Sequence, residues 1–130
     1  AFFSPIASLV PACAYAAALI YDIGFLGIRE EVLKTDKMTN ELFEEIKTHT
    51  EKGLKMLSFI PKKQRSLFID AVGKHHENLD GTGYPNRLIN YEIPYIAKVI
   101  RVVESYLAII SKKANKKSNV AGNVVIAESK

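Results

Sequence analysis

Apolar residues along this chain recur mostly at helical intervals. The uncharged, Ala-rich run from Ala12 to Tyr21 predicts a buried helix, preceded by an irregular apolar lead-in that Pro5 and Pro11 interrupt. Gly24 and Gly27 follow Asp22 closely and mark a short turn. Leu42, Ile46, His49, Gly53, Met56 and Leu57 then recur three or four positions apart, the spacing of one helix face, and Pro61 ends the stretch. Thr39 stands where an N-cap belongs, with Glu41, Glu44 and Glu45 in the first turns, where they suit the helix dipole. A second periodic run, Phe68, Val72, His75 and His76, stops at the turn-forming segment Asn78 to Asn86. A third begins near Pro94, a good first-turn residue, and carries Ile96, Val99, Ile100, Val103, Leu107 and Ile110 on its apolar face. Only Asn123 to Ala127 has any strand character, and it is too short to build a sheet. The pattern predicts an all-α fold.

The length of 130 residues suits one small domain with a real core. A single cysteine, Cys13, excludes an internal disulfide and any Cys-based zinc cluster. The net charge of +4 hints at nucleic acid until it is mapped. Residues 1–111 hold thirteen basic and thirteen acidic side chains, so the whole excess lies in the last 19 residues. A basic tail on a neutral body argues poorly for DNA binding. The uncharged stretch Ala1 to Tyr21 is long enough to be weighed as a membrane span. Pro5, Pro11, Ser4, Ser8 and the lack of a flanking basic residue argue against a span and against a signal peptide. The chain begins at Ala1 rather than Met and reads as a fragment or a processed product.

Five polar side chains change this picture. The periodicity aims His49 and His75 inward, Asp22 follows an apolar run at the mouth of the Gly turn, and Glu104 lies one position after Val103. A single inward His is most often a hydrogen-bonded core residue. Neighbours on a helix diverge by about 100°, however, so His75 and His76 together do not both suit an apolar core. Inward carboxylates and imidazoles are costly unless paired or bound to a metal. One metal centre reconciles all five groups, and such ligands suit iron, manganese, nickel or zinc.

The ordered set Asp22-Ile23-Gly24, Lys47-Thr48-His49, Gly53, His75-His76-Glu77 and Asp80-Gly81-Thr82-Gly83-Tyr84-Pro85 resembles the HD-GYP family. Leu88 and Glu92-Ile93-Pro94 extend the likeness, which runs from about Ala16 to Lys117. The resemblance implies an HD-type helical bundle over residues 1–117, lacking the upstream helices of the full domain, and a C-terminal tail over 118–130. It implies a metal-dependent phosphodiesterase acting on cyclic dinucleotides, chiefly cyclic di-GMP, in the bacterial cytoplasm. Iron or manganese ions would activate the attacking water and stabilise charge on the phosphate. Asp22, His49, His75, His76 and Glu104 fall at metal-ligand positions, with Asp22 and Glu104 also catalytic. Gly83, Tyr84 and Pro85 fall at the nucleotide pocket, and Lys112, Lys113, Lys116 and Lys117 stand where the family has a phosphate-contacting basic segment.

The chain also departs from the family pattern. The signature His before the Asp is Tyr21, the Lys after Asp-Ile-Gly is Phe25, the ligand Asp of the last helix is Glu104, and a further acidic position is Leu107. The ligand-bearing upstream helix has no counterpart in Ala1 to Ala12. One complete metal position, Asp22 with three His, is therefore expected beside a weakened second one. Two readings follow: a phosphodiesterase with impaired catalysis, or a non-catalytic signalling module that binds one metal, a nucleotide or a protein partner.

Overall fold

A computed structural model describes the backbone of residues 5–127 and the side chains of residues 12–111. The described residues are helical, with no named strand and one isolated antiparallel bridge between Asp80 and Ile89. The helices are α1 (Pro5–Ile20), α2 (Glu30–Leu33), α3 (Asn40–Lys47), α4 (His49–Met56), α5 (Arg65–Lys74) and α6 (Tyr95–Ala127). Short 3-10 turns cover Ile23–Gly27, Leu57–Phe59 and Asn90–Glu92. The chain divides into two compact units, Ala1–Ile100 and Arg101–Lys130.

In the first unit, Ala17, Leu57, Ile60, Phe68, Ala71, Val72 and Ile100 form the core. Cys13, Ala16, Ile20 and Ile96 pack against it. The α1 residues Cys13, Ala16, Ala17 and Ile20 follow the i, i+3, i+4, i+7 rule, and their small side chains let the helix sit close to its neighbours. Two expectations for this segment need correction. The lead-in is already helical from Pro5, a residue whose missing N–H costs nothing in a first turn. The helix is also only half buried, because Tyr15 and Leu19 point away from the core at 75% and 84% exposure.

The predicted face from Leu42 to Leu57 is divided between two helices. Thr39 caps α3, its hydroxyl accepting from the Leu42 N–H at 3.3 Å. At the break, the Thr48 hydroxyl donates to the Glu45 carbonyl (2.6 Å) and the Thr50 hydroxyl to the Lys47 carbonyl (3.1 Å). Such back-bonding bends helices, and here it turns α4 so that His49 and Gly53 enter the interior. The helix α5 ends at Lys74, with His75 at its C-cap.

The second unit, by itself, is the continuation of α6. Val103, Leu107 and Ile110, expected on a buried stripe, are 50%, 48% and 40% exposed. A lone helix has no second layer of its own to bury an apolar face. Asn123–Ala127 is helical rather than extended, since each added residue extends an existing helix by one hydrogen bond, whereas a strand needs a partner.

Candidate metal centre

Three separate pieces of the first unit bring the polar cluster together. Asp22 precedes the Ile23–Gly27 turn, which lies directly on α4. A Cβ at Gly24 would stand 1.7 Å from the His49 carbonyl oxygen, so only glycine lets the turn come this close. Gly53 faces it from α4 one helical turn after His49, and its own Cβ would lie 3.3 Å from the Gly24 nitrogen. His75 and His76 enter from the end of α5.

The orientation of two imidazoles is fixed by the backbone. His49 Nδ1 lies 2.7 Å from the Ile46 carbonyl, and His75 Nδ1 lies 2.9 Å from the Ala71 carbonyl. A carbonyl oxygen only accepts, so each Nδ1 carries a proton, and the neutral form of each ring presents a lone pair at Nε2. Those two Nε2 atoms are 3.2 Å apart and fully buried. Asp22 Oδ1 lies 3.2 Å from His75 Nε2 and 3.5 Å from His49 Nε2. This carboxylate oxygen is buried and makes no hydrogen bond of good geometry. Three electron-pair donors thus converge without a proton to share, an arrangement that requires a cation between them or a proton taken up by one ring.

Neighbouring ligands of an ion, each about 2.1 Å from it and at right angles, stand about 3 Å apart. The Asp22, His49 and His75 separations come close to that value. His76 completes the group, and one ligand atom from each of the four residues falls within 4.8 Å of the others. The donor set of three imidazoles and a carboxylate fits a divalent transition metal.

Electrostatics agree with the geometry. Burial pushes the Asp22 carboxyl up, but the neighbouring His75, His49 and His76 outweigh it and hold the group below its ordinary value. Burial, and then the nearby His75, holds His49 below the usual imidazole range, against the opposing pull of the Ile46 carbonyl and Asp22. Asp22 therefore stays ionised and His49 neutral near pH 7, the protonation states that metal ligands need.

Each imidazole also packs against an aromatic ring. Phe25 stacks on His49 (4.2 Å between centroids, 12° between planes), Tyr21 meets His75 edge-on (4.9 Å), and Tyr84 stacks on His76 (4.7 Å, 21°). Tyr21 and Phe25, two of the residues that depart from the family pattern, are thus packing partners of ligand candidates.

The other candidates are placed less directly. Gly83, Tyr84 and Pro85 form the loop beside His76, with the Tyr84 N–H donating to the His76 carbonyl at 3.2 Å. Glu104 is half-buried on α6 in the second unit. The side chains of Lys112, Lys113, Lys116 and Lys117 lie outside the described residues. Sequence reasoning assigned no role to Glu77, which is 2% exposed and accepts hydrogen bonds from the Asn86 and Leu88 N–H groups at 2.7 and 2.9 Å. Its sequence signals are its place in the run His75-His76-Glu77 and a carboxylate at a helix end just after two inward His.

Comparison with known proteins shows the family. The HD domain family model matches residues 12–125. The chain is 37% identical over 101 residues to a cyclic di-GMP phosphodiesterase of Thermotoga maritima, covering 77% of this chain and 27% of that protein. It is 37% identical over 110 residues to the cyclic di-GMP phosphodiesterase PdeB of Borreliella burgdorferi, covering 84% of this chain and 28% of that protein. It is 27% identical over 101 residues to a 3'3'-cGAMP-specific phosphodiesterase of Vibrio cholerae, covering 77% of this chain and 19% of that protein. The chain spans about a quarter of the length of the curated relatives it matches. With the motif order, the all-helical fold and these likenesses in agreement, the chain belongs to the HD domain family, on its HD-GYP branch.

Proposed function

We propose that this chain carries the metal-binding core of a cyclic dinucleotide phosphodiesterase, with residues 1–117 as its domain. One divalent ion, iron or manganese, is held by Asp22, His49, His75 and His76. The observation that supports this is the convergence of the His49 and His75 Nε2 lone pairs with the unsatisfied Asp22 carboxylate oxygen. The relatives' names supply the substrate class, cyclic di-GMP or cGAMP.

When bound, the ion supplies Lewis-acid charge that polarises the phosphodiester and makes water a better nucleophile. The chain's own residues do the rest. Asp22 contributes negative charge and offsets part of that of the cation. The Ile46 and Ala71 carbonyls hold the two imidazoles in the ligating tautomer. Phe25 covers one face of His49 and keeps water from it. Gly83, Tyr84 and Pro85 border the nucleotide side.

Catalysis is weak in this reading, because Tyr21 stands in place of an imidazole and Phe25 in place of a cation. Those same two residues favour a second reading, a non-catalytic signalling module that binds one ion, since both rings are packed against the cluster. No described helix is long and apolar enough to cross a membrane. The deciding experiment loads the purified chain anaerobically with iron or manganese, counts bound metal, and follows linear dinucleotide released from cyclic di-GMP. One equivalent bound, with slow turnover lost in His76→Ala, supports the enzyme. One equivalent without turnover selects the second reading, and no bound metal refutes both.

A further inference from the structure

We infer that Glu77 is a positioning residue of the metal centre: its buried carboxylate fastens the loop after α5 so that the Tyr84 ring holds the His76 imidazole in place. The inference rests on the proposal that the His/Asp cluster binds metal.

Glu77 is a buried carboxylate whose two oxygens each take one backbone donor, Asn86 N–H on Oε1 and Leu88 N–H on Oε2. A charge-assisted pair of this kind is stronger than bonds between neutral groups. Both donors lie on the far side of Tyr84, and Glu77 itself adjoins His76 in the chain. The loop therefore leaves the end of α5 and is tied back to it. Between the two ends of that tie, the Tyr84 N–H bonds the His76 carbonyl, and the Tyr84 ring stacks on the His76 ring.

The loop also lies tightly on the chain it is tied to. A Cβ at Gly83 would stand 2.3 Å from the Asn78 nitrogen and 2.4 Å from the Glu77 Cα. The place of Tyr84 is thus set by contact on one side and by the Glu77 carboxylate on the other. His49 and His75 are oriented by backbone carbonyls three and four positions before them, whereas Tyr84 reaches His76 from a loop. Loss of the tie would loosen that ring against its ligand. An apolar residue at position 77 would fill the space but leave the Asn86 and Leu88 N–H groups to find other acceptors.

The same loop provides an internal control. Asp80 accepts from the Thr82 N–H and hydroxyl at 3.0 and 2.6 Å, an exposed knot that reaches neither Tyr84 nor His76 among its described bonds.

The test uses cobalt(II) as the probe, with its visible absorption reporting the ligand set, and far-UV circular dichroism reporting the fold. In folded Glu77→Ala, cobalt affinity should fall roughly 10- to 100-fold, the effect typical of outer partners of a ligand, and the absorption band should change shape. Glu77→Gln keeps one acceptor oxygen and should recover a large part of that loss. Asp80→Ala should match the unaltered chain within about twofold, as its bonds are local and exposed. Folded Glu77→Ala with unaltered affinity and spectrum would overturn the inference. If Glu77→Ala does not fold, Glu77→Gln decides: a measurable loss of affinity supports the inference, and unaltered affinity and spectrum overturn it. If the unaltered chain binds no cobalt, the metal proposal itself fails. Glu77 is then judged by the His76 ring-proton resonances, which stacking under Tyr84 displaces. Their return toward free-imidazole positions in Glu77→Gln supports the tie, and unchanged positions refute it.

Discussion

Replacing Gly24 by Ala should damage both the fold and the metal centre, and the size of the effect follows from a few distances. The added Cβ would stand 1.7 Å from the His49 carbonyl oxygen and 2.6 Å from the Gly53 nitrogen. To reach the 3.0 Å that real Cβ contacts respect, the turn and α4 must separate by about 1.3 Å. The obstructing atoms are backbone, so no rotamer change relieves them. Overpacking of this kind costs about 1–3 kcal/mol, and backbone obstruction places Gly24→Ala at the upper end. For a chain of this size, about 3 kcal/mol corresponds to a Tm about 10 °C lower. If the turn and α4 take up the whole opening, His49 Nε2 and Asp22 Oδ1 move from 3.5 Å to about 4.8 Å apart, well beyond the roughly 3 Å of neighbouring ligands. Cobalt affinity should fall roughly tenfold or more. Gly53→Ala supplies the comparison, since its Cβ would meet the Val72 Cγ1 methyl at 2.6 Å, a side-chain atom that can shift. It should cost about 1 kcal/mol. The assay is thermal unfolding by circular dichroism with and without cobalt. A Gly24→Ala chain with unaltered Tm and affinity, or a reversed order of the two variants, would refute this reasoning.

Three further outcomes are expected. His75→Ala removes a fully buried candidate ligand, so cobalt binding should weaken by roughly 100-fold or more in an equilibrium titration, and near-normal affinity would exclude His75 as a ligand. The metal-free chain should lose stability as the pH falls below about 6.5, because burial holds His49 below its ordinary value and the unfolded chain takes up the proton first. Asp22, held down by its His neighbours, adds a loss in the same direction at lower pH, and a Tm that is flat or rises from pH 7.5 to 5.5 would contradict this. Arg29→Ala breaks the two-pronged pair with Glu45 (2.9 and 2.5 Å), yet the Arg29 side chain is 65% exposed. Denaturant titration should show little or no loss, because solvent screens so exposed a pair.

The legible parts of this fold and site are those written in side-chain spacing. Thr39 could be assigned as a cap because its hydroxyl bonds an N–H three positions away, and His49 and Gly53 could be placed together because they are one helical turn apart. Glu77 was opaque for the opposite reason. Its partners are the N–H groups of Asn86 and Leu88, which every non-proline residue carries, so no residue type announces them. The bend at Thr48 was hidden because the hydrophobic period runs through it unbroken, while the cause lies in two threonine hydroxyls. The α6 stripe is buried at Ile100 but open at Val103, Leu107 and Ile110, because periodicity identifies an apolar face without identifying what covers it. Tyr21 and Phe25 read as losses from a pattern, and only the folded chain gives them contacts with His75 and His49.

The wide sequence spacing of the cluster has a consequence for how the chain holds together. Asp22 and His49 are 27 positions apart, and His49 and His75 are 26 apart. A single ion seated on these groups closes two successive loops, as a cross-link would. By the chain-entropy relation used for disulfides, closing a loop of this length removes roughly 3.5 kcal/mol of conformational freedom from the unfolded chain. Two such closures outweigh many of the contacts in the small core. Metal supply would then govern the stability of the folded domain as well as its chemistry.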